Sequence, residues 1–194
     1  AKEGLGACNE NALRTALLRV ETVTSVSVIV NEKDTEDSSG RPPHSFECYV
    51  AGGENHHYEI AQAIYEKKPL GIKTCGNENY LIIDNGGFTH LIKFSHCSYI
   101  NIDVSMRIKI NENFNETAGI KEIKNNISDY INNLGVGKNV VLSSLYGRIH
   151  AVSGVTEVLE LSMAKDGSGS GGNIEIGEWE IAKSRNVNVV MQNE

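Results

Sequence analysis

The chain has 194 residues, of which 40% are hydrophobic and only 6% aromatic, and it carries a formal charge of −7. That length suits one large domain or two small ones with cores of Ile, Val and Leu, and the acidity argues against nucleic acid as the main partner, since phosphate binding needs concentrated Lys and Arg. No apolar run approaches the roughly 18–20 residues that span a bilayer, and no basic stretch followed by an apolar one opens the sequence, so neither membrane insertion nor secretion is expected.

In chain order, Ala12, Leu13, Ala16, Leu17 and Val20 fall on one helical stripe, with Asn9 or Asn11 available as N-cap. Val26, Val28 and Val30 alternate with serines and Ile29, the pattern of a half-buried strand. The polar run from Asn31 to Ser39 is predicted to be a loop. Its Glu32, Asp34, Glu36 and Asp37 raise calcium as a ligand, but the central glycine and terminal glutamate of an EF-hand loop are missing, so an exposed acidic loop is expected.

Gly40-Arg41-Pro42-Pro43 stiffens an extended approach to a short strand from Phe46 to Val50. Gly52-Gly53 then lets the backbone turn where a Cβ would clash. A polar-capped helix is predicted from about Glu54 to Lys68, with Ile60, Ala61, Ile64 and Tyr65 on its buried face and Pro69 and Gly71 stopping it. Strands from Tyr80 to Ile83 and from His90 to Phe94 bracket Asp84-Asn85-Gly86-Gly87, whose Asn-Gly pair suits a tight hairpin turn with positive φ. A domain boundary is placed near Ser95 to Ser98, dividing the chain into 1–96 and 97–194.

The clearest strand follows: Ile100, Ile102, Val104, Met106, Ile108 and Ile110 alternate with polar residues, predicting one dry and one wet face. From Asn115 to Leu134 the period changes, placing Ile120, Ile123, Ile127, Tyr130, Ile131 and Leu134 on a helical stripe ended by Gly135 and Gly137. A second helix near Leu142 to Ala151 turns Leu142, Leu145, Ile149 and Val152 inward. A strand from Thr156 to Ala164 is expected to present Leu159, Leu161 and Met163 to one side; Ile174 and Ile176 belong to a returning segment, and Val187, Val189 and Met191 to a last strand. The expected fold class is α+β: two small domains, each a mixed or antiparallel sheet packed with one or two helices.

Candidate chemistry is sparse. Cys8, Cys48, Cys75 and Cys97 contain no CxxC and read as reduced thiols. The glycine-rich run from Lys165 to Gly172 lacks the GK[ST] ending of a phosphate loop and reads as a flexible connection between strands. His44, Cys48, His56, His57 and Cys75 lack the paired spacing of a structural zinc site. His96-Cys97 has no nucleophile elbow around it. Glu175, Glu178 and Glu180 flank Trp179, but this is the only tryptophan, whereas a sugar groove is usually lined by several aromatics. Lys67-Lys68 and the cluster from Lys121 to Lys124 read as solvated helix faces. No catalytic, cofactor-binding or metal residue is therefore assigned, and Trp179 stands as the candidate interface anchor.

The succession PPHS, GG, EIAQAI, KKPLGI and TCGN, then DNGG, HLIKFS, INNLGVG, VVLSSLYGRI and GVTEVLEL, resembles the baseplate J-like family of contractile phage tails and related particles. It is similar to the C-terminal part of a family member, since family proteins carry a further N-terminal region. The resemblance implies a non-enzymatic wedge component of the baseplate of a phage, prophage or tailocin particle. It would be assembled in the bacterial cytoplasm, without cofactor, and would meet other baseplate subunits and neighbouring copies of itself in a ring around the tail tube. A closed ring needs heterologous surfaces, and an isolated piece of it can be monomeric. A short link near Ser95 would suit a ring that widens when the tail contracts. The rival readings are a tail-associated cell-wall hydrolase and a receptor- or carbohydrate-binding module of the tail tip. Both need concave sites rich in aromatic or convergent polar groups.

Overall fold

Two hydrophobic patterns, each returning on itself, build two compact units, Ala1–Cys97 and Ser98–Glu194, in the computed structural model of the chain. It describes residues 10–169 and 171–193. Cys8, the proposed N-cap Asn9 and Ser170 of the glycine run lie outside the described residues.

In the first unit the helical stripe becomes α1 (Glu10–Leu18) and the serine-valine alternation β1 (Ser25–Asn31), followed by β2 (Ser45–Ala51), α2 (His57–Lys67), β3 (Lys73–Cys75), β4 (Glu78–Ile83) and β5 (Thr89–His96). The sheet runs β1-β2-β5-β4, with β3 also beside β2. β1 pairs antiparallel with β2 along its whole length, from Ser25↔Ala51 to Asn31↔Ser45. β3 and β5 pair parallel to β2, which requires a crossover, and α2 supplies it. Leu13 and Leu17 of α1 and Ile60, Ala61 and Ile64 of α2 bury against Phe46, Cys48, Val50, Ile82, Ile92 and Phe94 of the sheet.

The glycine corner forms as expected. Gly52 sits at φ +81°, and a Cβ there would lie 2.0 Å from the Thr22 carbonyl oxygen. The helix that follows starts later than expected, at His57, and without its polar cap: the side chain of N-cap His56 makes no capping bond, and Glu54-Asn55 form a turn closed by the His56 N–H on the Gly53 carbonyl. At the other end Lys68 is extended (φ −67°, ψ 142°), the conformation a following proline imposes. The β4–β5 hairpin also differs in its turn. Positive φ falls on Gly87 rather than on Asn85-Gly86, because the Asp84 carboxylate accepts the N–H groups of Gly86 (2.8 Å) and Phe88 (2.9 Å) and winds the loop around itself. Ser95 lies inside β5, buried, and Cys97 alone separates β5 from the next strand, so no loop occupies that position.

The second unit consists of β6 (Ser98–Ile110), α3 (Glu116–Asn132), α4 (Ser143–His150), β7 (Val155–Lys165), β8 (Ser168–Gly169) and β9 (Glu180–Asn193), with sheet order β8-β7-β6-β9. β7 is antiparallel and β9 parallel to β6, so both sheets are mixed and the α+β class holds for both units. The dry face of β6, from Ile100 to Ile108, meets Ile123, Ile127 and Ile131 of α3 and Leu145 and Ile149 of α4. The Asn115 side chain caps α3 by accepting the Ala118 N–H at 2.9 Å.

Bulges re-aim side chains in β7 and β9. In β7 the pairs Arg107↔Glu160 and Ile108↔Val158 leave Leu159 without a partner. The parity of the strand flips there, so Val158, not Leu159, joins Leu161 and Met163 on the core while Leu159 is exposed. In β9 the pairs Ile102↔Ser184 and Asp103↔Asn186 bulge out Arg185, whose guanidinium grips the Asp103 carboxylate. The start of the glycine-rich run forms a defined turn. Asp166 (φ 49°) and Gly167 (φ 85°) make a two-residue turn between β7 and β8, the turn type that Asp-Gly favours.

Candidate functional site

A dense polar cluster in the first unit comes from residues that carried no motif. Asn31, at the end of β1, turns its amide on three backbone carbonyls, Thr35 (2.9 Å), Arg41 (2.8 Å) and Pro42 (3.0 Å), and so folds the 32–44 loop back on the sheet. That delivers Arg41 onto the sheet face opposite the helices, where it is 3% exposed. Its Nε donates to Glu47 Oε2 and its Nη1 to Asp37 Oδ2, both at 2.9 Å, while Nη2 donates to the Tyr49 hydroxyl at 3.1 Å. Glu47 is satisfied on its other oxygen by Ser95 Oγ at 2.6 Å.

The electrostatics follow from this wiring. Asp37 is held below the usual carboxylate range, first by the Arg41 backbone N–H and then by the Ser39 N–H and the guanidinium. Tyr49 is pushed up to about 12 by burial, with Glu47 adding to the rise. Of the loop acids, Glu32, Asp34 and Glu36 are exposed as expected, but Asp37 is not a free surface carboxylate. An arginine between a loop of acids and two prolines carries no periodicity, so its burial is not legible from the residues alone.

Beside this clamp lies a cleft of about 710 Å³ whose walls include Arg41, Glu47, Lys73, Cys75, His90 and Lys93. The Arg41 guanidinium is already shared among Asp37, Glu47 and Tyr49. The Cys75 thiol donates to the Phe46 carbonyl at 3.4 Å, and burial raises its pKa. His90 is turned to Asp84, 2.8 Å away. These contacts hold a loop and a turn in place.

The other sequence candidates separate. His44 meets Asp34 at 2.8 Å in the exposed loop, His56 lies 3.9 Å from Glu21 and 3.8 Å from Glu59, and Cys48 is buried in the core. Among the described residues no three metal-ligating side chains come together. His57 and His96 bring their Nε2 atoms within 2.9 Å, a contact between residues 39 apart that the sequence did not signal. Cys97 beside it is buried, and that burial pushes its thiol up to about 12, opposite to what a nucleophile needs. Glu180 accepts the Gly177 N–H (2.7 Å) and the Lys165 ammonium (3.4 Å), which ties it to the start of β9. Trp179 is 43% exposed, with Glu175 and Glu178 exposed on the same segment.

With this geometry in view, the comparisons with known proteins fall on one class of particle. Residues 102–190 match the family model described as the baseplate J-like protein C-terminal domain, nearly the whole of the second unit. Among solved structures, the fold is similar to a chain in the cryo-EM structure of the anti-feeding prophage (AFP) baseplate, six-fold symmetrised, with a TM-score of 0.56 and 12% sequence identity. That similarity covers 90% of this chain and 36% of the baseplate chain, so this chain spans little more than a third of that one's length. No curated protein sequence matches. The PPHS to TCGN succession lies outside the matched residues, and for the first unit the likeness is one of fold.

Proposed function

We propose that the chain, whose residues 102–190 match the baseplate J-like C-terminal domain, is a structural component of the baseplate of a contractile phage tail or phage-tail-like particle. That match is the observation that carries the reading, and the fold likeness to an anti-feeding prophage baseplate chain supports it. The finer role is that of a wedge subunit in a ring around the tail tube, touching copies of itself and other baseplate proteins. It is not an enzyme. The polar groups of the first unit are spent on one another in the Arg41 clamp, the Cys97 thiol is held protonated, and the late glutamates flank a single indole. The charge of −7 favours protein partners over nucleic acid. Trp179 serves as an anchor at a subunit contact, since a large exposed aromatic is the residue type that dominates interface energetics.

Deleting the coding segment in a strain that produces the particle, then imaging the tails, tests this. Tails lacking a complete baseplate support it; tails of normal appearance and function contradict it.

A further inference from the structure

We propose that the cleft beside the Arg41 clamp is a docking site for an acidic peptide segment of a neighbouring subunit. Strand register puts its basic residues on one face. Lys73 pairs with Ser45 and Cys75 with Glu47 between β2 and β3, and Tyr49 pairs with Ser95 between β2 and β5. Lys73 therefore shares the outward face with Glu47, Tyr49 and Ser95, and so does Lys93, two residues before Ser95, while the alternate residues Phe46, Cys48, Ile92 and Phe94 pack into the core. The lining holds Arg41, Lys68, Lys73 and Lys93 against a single carboxylate, Glu47. With Asp37 counted as well, the clamp nets one negative charge, and the three lysines turn that into a surplus of two positive charges. The exposed Glu36 reaches the Gly40 rim and still leaves the surplus positive. In a chain of charge −7 this cleft inverts the sign of the surface around it.

The lysine charges are uncommitted. Lys68 Nζ donates to the Ile72 carbonyl at 3.0 Å, which leaves its charge unneutralised, and the Lys73 and Lys93 ammonium groups have no ion-pair partner among the described residues. The kind of anion follows from which cations remain. The guanidinium, the group that grips phosphate through two parallel bonds, is taken up by Asp37, Glu47 and Tyr49. What is left is lysine point charges beside apolar walls at Pro42, Ile72 and Leu91. Carboxylates carried on a peptide use both, since their stems and backbone meet the apolar walls, whereas a bare oxyanion uses only the charges. The volume of about 710 Å³ lies in the range of ligand-binding clefts. The inference rests on the assembly reading above for the owner of the segment, and deepens it by naming one contact surface and the chemistry of its partner.

Titrating the ¹⁵N-labelled chain with capped hexaglutamate, followed by amide NMR shifts, tests it. Saturable binding with Kd on the order of 100 µM is expected at low salt, weakening about tenfold at physiological salt and above. The shifts should fall on the amides of 73–77 and 89–93, and the second unit should stay unperturbed. Lys73→Glu and Lys93→Glu should each weaken binding about fivefold, and the double variant should abolish it. Lys124→Glu, an equal change of charge on the exposed side of α3, should bind as wild type does. Thermal melts check the fold, and Lys73→Gln and Lys93→Gln replace any reversal that lowers the melting temperature. No binding at about 1 mM peptide, shifts centred elsewhere, full binding by the double variant, or a loss in Lys124→Glu equal to that in Lys93→Glu overturns the proposal. Tripolyphosphate or a short DNA duplex that binds this cleft more tightly than hexaglutamate also overturns it, in favour of a phosphate ligand. The deletion experiment above decides the assembly reading separately: incomplete baseplates with no binding of the peptide overturn this contact alone.

Discussion

Removing the Glu47 carboxylate tests whether the Arg41 clamp holds the first unit together. In Glu47→Ala, Arg41 Nε and the Ser95 hydroxyl lose their acceptors in a buried site, while Asp37 and Tyr49 keep their contacts to the guanidinium. Stripping one partner from a buried ion pair costs about 3–5 kcal/mol, and because Asp37 still faces the charge we expect the lower end, about 3 kcal/mol. For a domain of this size that is a fall in Tm on the order of 12–20 °C. The double variant Arg41→Met/Glu47→Leu removes both charges and fills the space, and should recover most of the loss. Urea unfolding followed by far-UV circular dichroism measures the effect. Fluorescence of Trp179, the only tryptophan, follows the second unit separately. A Glu47→Ala variant within about 0.5 kcal/mol of wild type, the range of ordinary surface substitutions, would show that the guanidinium is solvated and the clamp is not made.

The bulge in β7 makes neighbouring residues unequal: Val158→Asp should cost about 2–3 kcal/mol by burying a charge at the core edge, while Leu159→Asp should fall within about 0.5 kcal/mol of wild type; equal effects would mean that the strand is regular. Stability should fall as pH rises between about 10, where Tyr49 ionises in the unfolded chain, and about 12, where it ionises in the fold, because the folded state holds that proton more tightly. Tyr49→Phe should flatten that limb of the pH-stability curve. At the acid end the signs reverse. Asp37, Asp84 and Asp103 all have lowered pKa values, so their contribution is present above about 4 and lost as pH falls below it, which acid titration of the unfolding transition would show. In native protein at neutral pH, Cys97 should resist alkylation until the chain unfolds; mass spectrometry finding rapid modification at Cys97 would revive it as a nucleophile.

Strong periodicity made much of this fold legible. The alternation from Ile100 to Ile110 and the stripe of Ile123, Ile127 and Ile131 each admit one secondary structure, and both formed. Gly52-Gly53 was legible for a different reason: a backbone approach that only glycine allows leaves glycine in the sequence. What escaped depends on contacts between residues far apart. Leu159 looks like a core residue until the pairing with β6 inserts a bulge, and Asn85-Gly86 looks like the turn until the Asp84 carboxylate competes for its N–H groups. The Arg41 clamp escaped entirely, because burying an arginine requires Asp37, Glu47 and Tyr49 to arrive from a loop and a strand at once. The motifs from PPHS to TCGN lie in the first unit, yet the family match covers residues 102–190, in the second.

The most direct test is to locate this chain in an intact particle by cryo-EM of tails from the producing strain, fitting the two units separately into density. The account predicts that both units occupy the baseplate, repeated around the tail axis, with Trp179 of one copy at a subunit contact. A fully built baseplate with no density for residues 102–190, or the chain found only outside the particle, would contradict it.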